Sequence, residues 1–253
     1  MKMQVSLEGK VALVTGSGQG IGAAIATQLA SSGAHVAVCD LRSDRADAVA
    51  QHLSEQGFRA HAFTCDVTSP EAVAALTRTI TTTLGPIDIL VNNVGWAGDD
   101  PFVSLGAEQI RNLVDVNLMS TIFVCHEVGA GMVERGSGRI INIASDAGRV
   151  GSGGQAVYAA TKGGVIAFTK SLAREWAKRG ITANCVSPGA TDTPLWADDT
   201  SDRIKSMLLS TIPLKRVGRT DEIATAVTFL VSDKADYITG QVLSVSGGLT
   251  MVD

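Results

Sequence analysis

Short apolar runs alternate with longer amphipathic stretches from residue 10 to residue 245. The runs at 10–16, 34–40, 59–65, 87–91, 138–144, 181–187 and 242–245 read as strands. They are near-continuous in Val, Ile, Leu and Ala, the pattern of strands covered on both faces. Helical periodicity fills the gaps at about 21–32, 43–56, 70–85, 155–178 and 220–231, with two stretches inside 107–135. Gly33 is placed to stop the first helix and Pro70 to begin the third. Strand and helix alternating at this pitch predict a parallel sheet with right-handed crossovers and helices on both faces. The expectation is one doubly wound α/β domain over 1–253, with a mostly seven-stranded parallel sheet. No linker, repeat or low-complexity tract divides it.

Residues 189–219 break the rhythm. They carry Pro194, Trp196, Pro213 and the acids Asp198, Asp199 and Asp202. A loop of this length inside a compact domain is usually functional, so 189–219 is the expected substrate-binding loop, with a short helix at 201–210.

Composition narrows the function. Hydrophobic residues make up 45% of the 253 and charged residues 18%, enough for a sizeable core. The net charge of −4, with Lys and Arg scattered, argues against a nucleic-acid partner. Cys39, Cys65, Cys125 and Cys185 form no C-x-x-C pair and sit mostly in or beside apolar runs, which suits reduced thiols in a cytoplasm. His35, His52, His61 and His126 have no ligand spacing, so no metal is expected. Neither a signal peptide at 1–6 nor an uninterrupted membrane-length apolar run is evident, and no membrane partner is expected.

The chemistry begins at Thr15-Gly16-Ser17-Gly18-Gln19-Gly20-Ile21-Gly22, after the first strand and at the mouth of the first helix. There, glycines allow close backbone approach, and the helix end offers N–H groups to a pyrophosphate. The turn residues Gly16, Gly18, Gln19, Gly20, Ile21 and Gly22 are therefore candidate dinucleotide contacts, the mark of a Rossmann-type fold. Asp40 ends the second strand about twenty residues on, where an acid accepts from ribose hydroxyls and repels a 2′-phosphate. With Leu41 beside it, and no basic residue in Ser17–Gln19, it points to NAD (NADH), with NADP less favoured despite Arg42 and Arg45. Asp66 and Val67 are candidates for the adenine edge; a cap for the following helix is the structural alternative for Asp66.

A second constellation runs from Ser145 to Lys162. Tyr158 and Lys162 are four residues apart on a predicted helix and share a face. A phenol ordinarily ionises near pH ~10, and a neighbouring ammonium favours the phenolate. Tyr158 is thus a candidate proton donor or acceptor tuned by Lys162, with Ser145 placed to hold a substrate oxygen.

Together, Thr15-Gly16-x-x-x-Gly20-x-Gly22, Asn92-Asn93-Val94-Gly95, Asn117, Ser145, Tyr158-x-x-x-Lys162 and Pro188-Gly189-x-x-x-Thr193 resemble the short-chain dehydrogenase/reductase family over nearly the whole chain. Val94 stands where the family usually has Ala. The resemblance implies hydride transfer between a nicotinamide and a ketone or secondary alcohol. It assigns the catalytic roles to Asn117, Ser145, Tyr158 and Lys162. It also adds Asn92, Gly95, Tyr158, Lys162, Pro188, Gly189, Thr191 and Thr193 to the cofactor contacts, and it implies a homotetramer. A closer likeness runs through 83–93, 132–135, 144–151 and 240–251. These stretches resemble 2-hydroxycyclohexanecarboxyl-CoA dehydrogenases, which oxidise a ring hydroxyl beside a CoA thioester with NAD. The alternative within the family is an NADPH-dependent 3-oxoacyl-carrier-protein reductase; a non-catalytic dinucleotide-binding protein is the reading outside enzymology.

The substrate clues are fewer. Trp96, Ser145, Gln155 and Trp196 are the candidate pocket, with the tryptophans either walling an apolar site or simply packing. Arg149 either meets an anionic tail or pairs with Asp146 or Glu175, and pairing is the expectation. Lys205, Lys215, Arg216 and Arg219 either meet CoA or carrier phosphates or stay solvated.

Overall fold

The computed structural model describes residues 5–98, 100–194 and 209–252. Seven strands, β1 (Val11–Thr15), β2 (His35–Asp40), β3 (Ala60–Thr64), β4 (Ile89–Asn92), β5 (Gly138–Ile143), β6 (Ile181–Pro188) and β7 (Val242–Val245), form one sheet in the order β3-β2-β1-β4-β5-β6-β7. All six strand pairs are parallel. Among the described residues the main helices are α1 (Gly20–Ser31), α2 (Ser43–Glu55), α3 (Pro70–Thr83), α4 (Ala107–Val114), α5 (Ser120–Arg135), α6 (Ala147–Val150), α7 (Ala156–Trp176) and α8 (Thr220–Val231).

The continuous apolar strands explain the layering. Within β1, Ala12 and Val14 join the core under α1, α2 and α8, with Ile25, Leu29, Leu53, Ile223 and Val227. Their neighbours Val11 and Leu13 join the core under α3, α5 and α7, with Ile80, Val128, Met132 and Leu172. Successive strand residues point to opposite faces, so a strand between two helical layers is apolar at most positions. Each Leu, Ile or Val so buried stabilises the fold by about 1.5–3 kcal/mol relative to exposure.

The chain order reverses between β1 and β4, and a crevice opens there at the carboxyl ends of the strands, the usual ligand position in such sheets. The β1–α1 turn, the segment after β4 and the residues after β5 and β6 all gather at that edge.

Two elements differ from the sequence expectation. The stretch 107–135 is one continuous helical run, in which α4 passes into α5 through a π-helical turn at Asp115–Met119. By length and composition alone it would suffice to cross a membrane, but α5 lies against β4 and β5. The glycine-rich stretch after Ser145 contains the short helix α6. Within 189–219, Thr191 bridges to Gly218, while Trp196, the acids at 198, 199 and 202, Lys205 and most of the expected helix at 201–210 lie outside the described residues.

Candidate active site

The glycine turn is shaped by backbone demands. Gly16 has a φ of +60°, in the left-handed region that glycine enters without strain. At Gly22, a Cβ would lie 2.2 Å from the carbonyl oxygen of Gly16, so only glycine lets α1 start this close to β1. Ser17 is buried and locks the turn to β2: its hydroxyl donates to Val14 O (2.7 Å) and accepts from Cys39 N (2.9 Å). Asn93 ties it to β4, with Nδ2 donating to Thr15 O (3.2 Å) and Gly16 O (2.9 Å). Helix α1 then opens with no side-chain cap and no acid in its first turn. Its first amides and the positive end of its dipole are left to an anion.

Asp40 and Leu41 border the same edge with Asp66 and Val67; Gly16 and Val94 complete a small cavity there. Leu41 is exposed, and Val67 is buried. Asp66 does not cap α3, because Ser69 does so by accepting from Ala72 N (3.2 Å). Asp66 instead accepts from the amide (2.9 Å) and hydroxyl (2.6 Å) of Thr68.

The second constellation assembles around a buried lysine. Lys162, on α7, is 2% exposed, and its Nζ donates to Ile143 O at the end of β5 (2.9 Å). Burial strips its water and pulls its pKa down from 10.5 to about 8, with nearby Cys185 opposing weakly. The same Nζ is 5.8 Å from the centre of the Tyr158 ring. Asn117 lies inside the π-helical turn, a local widening of a helix that is frequent at functional sites. Its Nδ2 donates to Leu113 O (2.9 Å) and Trp96 O (2.8 Å), and its Oδ1 accepts from Trp96 N (2.9 Å). Gly95 is wedged between the two: a Cβ there would stand 2.9 Å from Lys162 Nζ and 3.0 Å from Asn117 Oδ1. Ser145 follows β5 by two residues, and its Oγ accepts from Ala147 N (3.2 Å).

Pro188 ends β6, and Gly189 is pinned by its amide to Val245 O (3.1 Å). Thr191 Oγ1 donates back to Gly189 O (2.9 Å). Thr193 lies over the glycine turn, its Cγ2 3.6 Å from where a Gly20 Cβ would be. Trp96 is 42% exposed beside Asn117; Gln155 immediately precedes α7, and Trp196 is outside the described residues.

Several supporting residues were not singled out from the sequence. Asn142, in the middle of the β5 apolar run, is fully buried; it accepts from Asn92 Nδ2 (2.9 Å) and donates to Thr169 Oγ1 (2.8 Å). A polar residue inside an Ile run was the available signal. Asp146, next to Ser145, is buried, and both of its oxygens accept from the Ser244 hydroxyl of β7 (2.8 and 3.0 Å). Arg149 does not pair with Asp146 or Glu175; its guanidinium donates to Val252 O. Arg216 is ion-paired to Glu222 (2.6 Å) and Arg219 to Asp221 (2.9 Å), and Lys215 donates to Ser210 O (2.7 Å). Among the described residues no cluster of three or more metal-ligating side chains occurs.

Known proteins match this chain over nearly its whole length. The family described as enoyl-(acyl carrier protein) reductase matches residues 16–250. The chain is 42% identical to the 3-oxoacyl-(acyl-carrier-protein) reductase FabG of Vibrio cholerae over 248 residues, covering 98% of this chain and all of that protein. The Escherichia coli reductase of the same name gives the same figures. The Staphylococcus aureus one is 42% identical over 243 residues, covering 96% and 98%. A solved structure titled "Crystal structure of gox2181" superposes with a TM-score of 0.95 at 34% identity, covering 97% of each chain.

The relatives overturn one expectation. NAD, with NADP less favoured, does not stand, because the relatives bear the name of the NADPH-dependent alternative. The structure shows why Asp40 is a poor discriminator. Its Oδ2 accepts from Gly18 N (2.9 Å) and its Oδ1 from Arg42 N (3.1 Å), so the carboxylate serves as a backbone clamp. The Arg45 Cβ lies directly beside Gly18, and Arg42, two residues after the acid, is ion-paired to Asp44 (2.7 Å).

Proposed function

Since this chain belongs to the short-chain dehydrogenase/reductase family, and is an oxidoreductase acting between CH–OH and C=O, we propose that it reduces the keto group of a 3-oxoacyl thioester to the 3-hydroxyacyl thioester with NADPH. The observation that carries this reading is full-length 42% identity to 3-oxoacyl-(acyl-carrier-protein) reductases. The grouping of Ser145, Tyr158, Lys162 and Asn117 at the sheet's carboxyl edge supports it.

The residues present suit a nicotinamide dinucleotide. The cradle at Gly16–Gly22 admits no Cβ at Gly18 or Gly22, the α1 end is uncapped, and a cavity lined by Asp40, Leu41, Asp66 and Val67 lies beside it. Gly16, Gly18, Gln19, Gly20, Ile21 and Gly22 would hold the pyrophosphate. Asn92, Gly95, Pro188, Gly189, Thr191 and Thr193 would line the groove towards the nicotinamide. When bound, the dinucleotide supplies the hydride.

The protein's part is alignment and proton supply. Tyr158 donates its phenolic proton to the oxygen that gains negative charge, and Ser145 holds that oxygen in place. With a pKa of about 8, Lys162 remains largely charged at neutral pH, and its ammonium favours the phenolate that Tyr158 becomes. Asn117 fixes the segment at Gly95 and Trp96, its Nδ2 donating to Trp96 O and its Oδ1 accepting from Trp96 N.

A cyclic or aryl hydroxyacyl CoA thioester is the second substrate reading, favoured by the half-exposed Trp96 beside Asn117. Phosphate contacts by Arg216 or Arg219 would have to displace Glu222 or Asp221. A cytoplasmic homotetramer completes the proposal; the exposed Leu243 and Met251 give apolar surface for a subunit contact.

The test is nicotinamide absorbance on purified protein, with NADPH and NADH each, against linear 3-oxoacyl thioesters, cyclic 2-oxoacyl-CoA thioesters and the corresponding free acids. Turnover of the linear thioesters is the expected result. No turnover of them, with reduction of cyclic thioesters, would replace the first reading by the second.

A further inference from the structure

We propose that Cys65 is a modification site inside the dinucleotide pocket, open to small thiol-reactive molecules and shielded when the adenine end of a dinucleotide is bound. The proposal rests on the reading of that pocket given above.

The fold places two thiols there. Cys39 lies in β2 opposite Phe63 of β3, and Cys65 follows β3, with its amide donating to Asp40 O (3.0 Å). Cys65 is two residues beyond Phe63, so alternation puts both cysteines on one side of the sheet. Both line the same cavity of about 100 Å³, together with Gly16, Leu41, Val67 and Val94. Cys65 keeps 6% of its surface exposed at that wall, while Cys39 is fully buried. The Cys39 S–H supports a thiolate on Cys65 and draws that pKa down, while the same contact and burial push Cys39 up.

The other two cysteines have no such environment. Cys125 is enclosed in the core beside Asn92 and Asn142, and burial pushes it up to about 12. Cys185 donates to Thr169 Oγ1 (3.2 Å) and is pushed up to about 11. Of the four thiols, Cys65 alone combines a cavity wall with a supported thiolate, and the thiolate is the nucleophile. The cavity's volume of about 100 Å³ admits only small reagents.

With methyl methanethiosulfonate as probe, the Cys65 thiolate attacks the sulfenyl sulfur. A protein S–S–CH3 bond forms, the bond to the sulfonyl sulfur breaks, and methanesulfinate leaves with the electron pair. The thiol proton passes to solvent. Cys65 is thereby oxidised to the disulfide level and the sulfonyl sulfur reduced to sulfinate. The added methylthio group occupies the cavity and displaces the adenine end.

The experiment is a short exposure of the whole protein to this reagent, with peptide mass mapping over time, with and without saturating NADPH. Binding of NADPH to untreated protein is followed separately by its fluorescence. Cys65 is expected to react about tenfold or more faster than Cys39, Cys125 and Cys185, with NADPH suppressing that reaction and Cys65→Ser removing the fast label. The mapping of the unmodified sequence decides the matter even if the variant folds poorly. Faster labelling of another cysteine overturns the proposal, as does labelling of Cys65 that NADPH leaves unchanged although fluorescence shows it bound. Absence of NADPH binding to untreated protein would instead refute the dinucleotide reading, and the order of labelling would still decide whether Cys65 is the reactive thiol.

Discussion

Replacing Lys162 with methionine is expected to stabilise the ligand-free protein near neutral pH while ending its turnover. The Lys162 ammonium is buried, with Ile143 O as its hydrogen-bond acceptor at 2.9 Å. Its pKa stands at about 8, against 10.5 for an ordinary lysine. At ~1.4 kcal/mol per pH unit, that gap corresponds to a cost of roughly 3 kcal/mol for holding the charge in the folded state. Methionine has a similar shape and removes the charge, but it leaves the Ile143 carbonyl unpaired at about 1–3 kcal/mol. The net gain at about pH 6–7 is therefore on the order of 1 kcal/mol. The pH dependence is the sharper test, because other groups cancel between the two proteins. The folded pKa lies below the unfolded one, so between about pH 8 and 10.5 the unfolded state holds more protons. Wild-type stability relative to the variant is then constant below about pH 8 and rises by up to roughly 3 kcal/mol across that window. Urea denaturation of both proteins at about pH 6.5, 8 and 9.5 measures it. A stability difference that stays flat from about pH 7 to 10 would refute the claim that Lys162 is buried with a depressed pKa.

Tyr158→Phe keeps the ring and removes the proton; turnover is expected to fall by about 10²-fold or more, with dinucleotide affinity by fluorescence nearly unchanged. Retained turnover would remove Tyr158 from the mechanism. Gly22→Ala places a methyl 2.2 Å from Gly16 O, and the expected outcome is loss of dinucleotide binding with the far-ultraviolet circular dichroism retained. Binding at full affinity would show that the turn is not the phosphate cradle. Ser244→Ala removes the hydroxyl that donates to both oxygens of the buried Asp146, at an expected cost of about 1–3 kcal/mol in denaturant unfolding. An unchanged unfolding midpoint would show that the carboxylate finds other partners.

The local pattern was enough to give the fold class, because strands covered on both faces and helices with one buried face leave a periodic trace in any chain that forms them. Local chemistry was enough to single out Gly16–Gly22, since a strand–turn–helix junction needs glycine where the backbone must turn or pass closely. The spacing of Tyr158 and Lys162 likewise followed from helix geometry alone. Element edges were less legible. The sequence reads as two helical stretches within 107–135, whereas the folded chain runs through as one, with a π-helical turn where Asn117 bonds to Leu113 O and to both backbone groups of Trp96.

Only the tertiary structure decided which partner each polar group takes. That Lys162 is buried against Ile143 O depends on β5 and α7 meeting, 19 residues apart in sequence. Asp146 finds Ser244 across 98 residues, and Arg149 turns to the C-terminal backbone instead of the nearby acids. Asp40 carried the most misleading local signal. Its place at a strand tip suggested a hydrogen-bond acceptor awaiting a ribose, whereas packing of β2 against the glycine turn uses one carboxylate oxygen on Gly18 N and the other on Arg42 N. Periodicity and backbone geometry are properties of neighbours in sequence, and sequence by itself determined them. Burial, desolvation and the choice of hydrogen-bond partner depend on groups brought together from distant positions, and these only the folded chain decided.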